Sequence, residues 1–146
     1  MVKGKATEPK RVVLLVEAII LALVVFVLYS PSLRYQFVWD DKELYINESN
    51  LPQKETLSKI PNYFVPKKDK MYIPMTYTFW NIVGNLGGIR NGDYNPQPFH
   101  LVNLLLHIAN SILVFLILFQ FFNEHKFAFL GAMVFALHPI QVESVA

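Results

Sequence analysis

Residues Val12 to Tyr29, VVLLVEAIILALVVFVLY, make an apolar run of 18 residues carrying a single charge, Glu17. Coiled as an α-helix the run extends roughly 27 Å, close to the hydrocarbon thickness of a bilayer. A helix satisfies its own backbone hydrogen bonds in lipid, and the run is read as a transmembrane helix. Lys3, Lys5, Lys10 and Arg11 precede it, opposed only by Glu8, so residues 1–11 suit a basic cytoplasmic N-terminus. A secretory signal peptide shares the basic start and apolar core. Against it stand the length of the core and the following YSPSL, a poor small-residue cleavage site. Glu17 lies about one and a half turns inside the run, where its carboxylate can snorkel to the cytoplasmic surface; a proton-relay role is the other reading.

Composition agrees with a membrane protein. With 53% hydrophobic and 16% charged residues among 146, the chain is too apolar for a soluble domain of its size. It has no cysteine, which removes disulfide frameworks and thiolate metal sites and leaves the redox compartment open.

A second run, Phe99 to Phe122, is also long enough to span. His100, Asn103, His107 and Asn110 recur along its first half, and at about 100° per residue they fall within an arc of roughly 80°. This polar stripe must face protein or water. Interhelical hydrogen bonding is one reading, favoured for Asn110; the polar wall of a site is the other, and His100 and His107 fit either. A third stretch, Phe127 to Leu137, follows the polar link Asn123 to Lys126 and is too short to cross alone. Continued through His138, Pro139, Ile140 and Val142, it reaches the opposite surface.

The predicted spans are therefore residues 12–29, 99–122 and 127–142. Alternation places residues 30–98 on the extracytoplasmic side, the link 123–126 in the cytoplasm, and 143–146 at the start of a second extracytoplasmic loop. The fold class is an all-α membrane protein. Asp40, Asp41 and Glu143 then reach the same face of the membrane.

The long loop between the first two spans carries structure of its own. Lys54 to Ile60 is predicted as a short helix ending before Pro61. From Pro74 to Leu86, Met75, Phe79, Ile82, Val83 and Leu86 hold helical spacing, with Thr76, Asn81 and Asn85 away from that stripe. Pro74 suits the first turn and Gly87-Gly88 supplies a stop. With Tyr77 and Trp80 alongside, this segment (about 74–86) reads as a helix in the membrane interface plane; a helix packed inside the loop is the alternative. Its neighbour NPQPF opens the second span with a proline.

Four motifs follow in order: F-V-W-D-D-x-x-x-Y-I-x-x-N from Phe37; Y-I-P-M-T from Tyr72; P-F-H-L-V-N-L-L-L-H-I-x-N from Pro98; and F-A-L-H-P-I-Q-V-E-S-V-A from Phe135. Together they resemble the amino-terminal membrane part of polytopic glycosyltransferases that carry tetratricopeptide repeats. These are similar to the animal transmembrane O-mannosyltransferases and, more broadly, to the GT-C class. The resemblance covers roughly residues 12 to 146. It implies three helices of a truncated GT-C type bundle, since relatives continue into further membrane helices and then repeats; such a fragment is expected to be inactive alone.

The resemblance also implies chemistry: transfer of a sugar, mannose foremost, from a polyprenyl-phosphate donor to an extracytoplasmic acceptor, a protein hydroxyl or a glycolipid. The setting is the endoplasmic reticulum in a eukaryote or the inner membrane in a bacterium. No cofactor is required and no nucleic-acid partner is expected. An attacking hydroxyl must shed its proton, and a carboxylate in reach accepts it. The wider class's acid pair matches Asp40 as that base, whereas the four-residue interval to Tyr45 matches Asp41; the two remain alternatives. Adjacent side chains point apart in a strand or helix, so one acid is expected to serve as base and the other to cap a helix or orient its neighbour.

Glu143 corresponds to the second acidic site of the class, and an exposed surface carboxylate is the other reading. Trp39, Tyr45 and Tyr72 are expected on the substrate side, with His100, Asn103, His107 and His138. A divalent metal held by His100, His138 and an aspartate has no spacing to support it. Arg34, Lys67, Lys68, Lys70 and Arg90 are candidates for the phosphate, although KKDK equally suits a solvated surface. Animal members commonly carry arginine where this chain has Ile73, which removes one phosphate contact. A noncatalytic membrane anchor for repeats and a transporter using the polar stripe are the competing functions. The transporter would depend on His107 rather than on the aspartates.

Overall fold

The computed structural model describes residues 8–38, 57–66, 71–90 and 93–145. Its elements divide into two units, Met1–Ser32 with Asn103–Ala146, and Leu33–Val102.

In the first unit, α1 (Glu8–Tyr29) passes into a 3-10 turn at Ser30–Arg34. Ser30 Oγ donates to Val27 O at 3.1 Å and Ser32 Oγ to Tyr29 O at 2.8 Å, so short hydroxyl side chains take up carbonyls that a helix end leaves open. α4 (Gln97–Phe122), whose residues from Asn103 onward belong to this unit, ends where Asn123 adopts φ 52° and its N–H closes on Phe119 O at 2.9 Å. Asparagine tolerates this left-handed conformation. α5 (His125–Leu137) follows at once.

The core holds Leu21, Val25 and Tyr29 of α1, Leu104 and Phe115 of α4, and Ala128, Ala132 and Ala136 of α5. The three alanines stand four residues apart on one face of α5, and small residues let membrane helices approach closely. Gly131 does the same toward α4, since a Cβ there would lie 2.7 Å from Leu118 Cδ1.

Two contacts set the direction of α5 against α1. Glu17 meets His125 near the start of α5, and Tyr29 meets Ala136 near its end. Both residue numbers rise together, so the helices run parallel. The α5 ladder stops at Pro139, which has no N–H to give. A 3-10 turn, Pro139–Gln141, and α6 (Val142–Val145) continue the chain after a bend of 51°. Arg11–Arg34 and Gln97–Phe122 are long and apolar enough to cross a membrane, and the bent pair makes a third if counted as one span.

In the second unit, a 3-10 turn (Leu57–Lys59) leads into α2 (Ile60–Tyr63). Here the expected helix end before Pro61 is corrected: Pro61 lies inside the first turn of α2, where its missing N–H costs nothing. α3 (Pro74–Gly87) has Pro74 in its first turn. Its stripe of Met75, Phe79, Ile82 and Leu86 is exposed, while Val83, Gly84 and Asn81 are buried.

Asn85 Nδ2 donates to Asn81 Oδ1 at 3.1 Å, and Asn81 Nδ2 to the Tyr63 hydroxyl at 3.0 Å. An amide ladder thus ties α3 to α2, and most of the apolar stripe faces outward. This reverses what a helix on a soluble core buries.

After α3, Gly88 takes φ 68°, ψ −172°, a region essentially restricted to glycine. β1 (Ile89–Arg90) and β2 (Asp93–Tyr94) then pair antiparallel, Ile89 opposite Tyr94 and Arg90 opposite Asp93. This two-residue ladder is a local hairpin; the other described elements are helical, in keeping with an all-α fold. Asn95 Oδ1 accepts from Gln97 N at 3.2 Å, capping the start of α4.

Candidate functional site

Asp40 and Asp41, the expected base and its neighbour, lie outside the described residues with Trp39 and Tyr45. So do Lys67, Lys68 and Lys70. The other expected site residues fall in both units.

In the second unit, Phe37 stacks edge-on against Phe99 with centroids 5.4 Å apart, and the His100 ring lies 6.4 Å from Phe37. His100 is 5% exposed. Tyr94 extends this aromatic cluster to Phe99 at 6.3 Å. The motif residues Phe37, Phe99 and His100 are therefore brought together, and Phe37 stands three residues before Asp40 in the sequence. Tyr72 is exposed, its hydroxyl reaching Phe64 O at 3.4 Å.

In the first unit, Asn103 and Asn110 are exposed on α4 while His107 is buried. The four residues of the polar stripe therefore do not share one environment. His107 Nε2 lies 3.0 Å from Ala136 O; a carbonyl only accepts, so the ring must carry its proton on Nε2. The Tyr29 hydroxyl donates to the same oxygen at 3.2 Å, and the two rings meet edge-on at 5.2 Å. Ser111 Oγ donates to His107 O at 2.7 Å. This geometry matches the interhelical bonding reading of His107.

His138 is exposed and accepts through Nδ1 from Ile140 N at 3.2 Å. It caps the turn that starts at Pro139. Glu143 is exposed in the first turn of α6, and Arg34 is exposed at the end of its 3-10 turn. Among the described residues no three histidine, cysteine or carboxylate side chains gather as a metal site. An apolar groove of about 590 Å³ opens between Phe122, Phe127, Leu130, Gly131 and Val134, and those side chains offer no polar group for catalysis.

These geometries can be set beside known proteins. Human protein O-mannosyl-transferase TMTC4 is 28% identical over 148 residues, covering 88% of this chain and 19% of the relative. A Caenorhabditis elegans protein O-mannosyl-transferase is 25% identical over 158 residues, 99% of this chain and 21% of the relative. Mouse protein O-mannosyl-transferase TMTC1 is 30% identical over 127 residues, 81% of this chain and 13% of the relative. Over most of its length, this chain is similar in sequence to protein O-mannosyl-transferases. It spans about a fifth of the length of the first of these relatives. No family model matches the chain, and no solved structure matches it. The apolar helices and this likeness support a membrane protein.

One pairing carries no expected catalytic role. Glu17 Oε1 lies 2.7 Å from His125 Nδ1, and Glu17 Oε2 is buried without a hydrogen-bond partner among the described residues. The Glu17 carboxylate thus ends on the histidine that opens α5. His125→Ala is expected to destabilise the helix packing by about 1–3 kcal/mol, because it leaves a buried acceptor unpaired. Adding Glu17→Leu should recover most of that loss. Unfolding in mixed micelles measures both, and a neutral His125→Ala would show that the pair contributes nothing.

Proposed function

We propose that this chain is the catalytic-loop portion of an integral membrane glycosyltransferase that moves a hexose, mannose foremost, from a polyprenyl-phosphate donor to a hydroxyl of an extracytoplasmic protein. The likeness to protein O-mannosyl-transferases over most of the chain carries this reading. The ordered motifs around Asp40, His100 and His138 support it. In this reading the N-terminus is cytoplasmic, residues 12–29, 99–122 and 127–142 cross the bilayer, and the outward apolar stripe of α3 rests in the membrane interface.

One of Asp40 and Asp41 takes the proton of the attacking hydroxyl as it reaches the anomeric carbon, and the lipid phosphate leaves with the electron pair of the broken bond. The other aspartate orients the first. Glu143 acts as the second acid. Trp39, Tyr45, Tyr72, His100, Asn103 and His138 are assigned to binding donor and acceptor, while His107 holds its helix to the Ala136 carbonyl. No nucleotide has to be held.

Membranes containing the full-length protein, given radiolabelled polyprenyl-phosphate mannose and serine- or threonine-bearing peptides, should yield labelled peptide. Labelling from a nucleotide sugar but not from the lipid donor would overturn the donor assignment. No transfer from either would return the chain to the anchor or transporter readings.

A further inference from the structure

The carbonyl of Ala136 is the acceptor that an unbroken α5 would bond to the N–H of Ile140. That N–H is turned away to His138 Nδ1, because the chain bends at Pro139. The freed carbonyl accepts instead from Tyr29 of α1 and His107 of α4. Three helices therefore meet at one oxygen, six residues before Glu143's helix begins. Tyr29 and His107 are each 5% exposed, so water does not compete for it. The ring of Phe135 lies 5.9 Å from that of His107.

We propose that Tyr29 and His107 are positioning residues for transfer: by gripping the Ala136 carbonyl together they set the direction in which the chain leaves α5, and so where His138 and Glu143 stand. This rests on the reading that Glu143 serves the reaction. A carbonyl needs one good donor to be satisfied and here has two, so removing either leaves the other. Removing both leaves a buried acceptor with none, and the losses should therefore exceed simple addition.

The test compares Tyr29→Phe, His107→Leu, the double variant, and His107→Gln, whose amide retains a donor. Spin labels at Asn123→Cys and Ser144→Cys, in a segment with no cysteine of its own, report the distance across α5 in the full-length protein. The distribution should stay narrow in the single variants and in His107→Gln, and broaden in the double variant. In parallel, kcat should fall about 2- to 3-fold in each single variant and 10-fold or more in the double variant, with KM unchanged.

An unchanged distance distribution in the double variant of an active enzyme overturns the grip. A broadened distribution with kcat unchanged overturns its role in transfer. A wild-type protein that transfers no sugar overturns the underlying reading, and the positioning role falls with it.

Discussion

Substituting asparagine for whichever of Asp40 and Asp41 is the base is expected to slow sugar transfer about 10²- to 10⁴-fold. The amide keeps the size and most hydrogen bonds of the carboxylate but cannot accept a proton, so the loss should fall on kcat and leave KM and membrane insertion nearly unchanged. The other aspartate, acting through its neighbour or as a helix cap, should cost far less, on the order of 10-fold. Initial rates with the lipid-linked donor, measured on proteolysis-checked membranes, separate the two. Equal activity in both variants and the wild type would sink the general-base mechanism and favour a noncatalytic anchor.

The second large effect concerns packing. Ala132 is fully buried in the middle of the alanine face that meets α1. Ala132→Leu must push the helices apart or force strained rotamers, a cost of about 1–3 kcal/mol. It should also loosen both the Glu17–His125 and the Tyr29–Ala136 contacts, since these sit on either side of it along the same pair of helices. Val134→Leu, on the exposed side of the same helix, should stay within about 0.5 kcal/mol. Unfolding in mixed micelles measures both. Equal midpoints for the two variants would show that α1 and α5 are not in close contact at Ala132.

Much of the helix inventory is legible in the sequence, because long apolar runs and proline positions act locally. Pro74 and Pro98 sit in first turns, and Pro139 breaks α5 as a residue without an N–H must. Two further local signals stand in the sequence. Asn91-Gly92 is a strong two-residue hairpin signal in the sequence, and β1 pairs with β2. Ala128, Ala132 and Ala136 hold the small-residue spacing of a close helix contact. Pro61 opens α2 rather than ending a helix, since its missing N–H costs nothing in a first turn.

The polar stripe on α4 shows where periodicity stops being informative. His100, Asn103, His107 and Asn110 share one side of a helix by angle, yet the two histidines are buried and the two asparagines exposed. Helical angle specifies a direction from one axis; what lies in that direction depends on neighbours distant in sequence.

From sequence alone follow the membrane character, the apolar helices and the motifs that tie the chain to O-mannosyl-transferases, because hydropathy and proline chemistry are properties of consecutive residues. Only the tertiary structure decides that Glu17 meets His125 across 108 positions, that α1 and α5 run parallel, and that Tyr29 and His107 converge on one carbonyl. The last arises because a helix break frees a backbone acceptor in a dry interior, and in each case the partners are settled by packing between helices far apart in the chain.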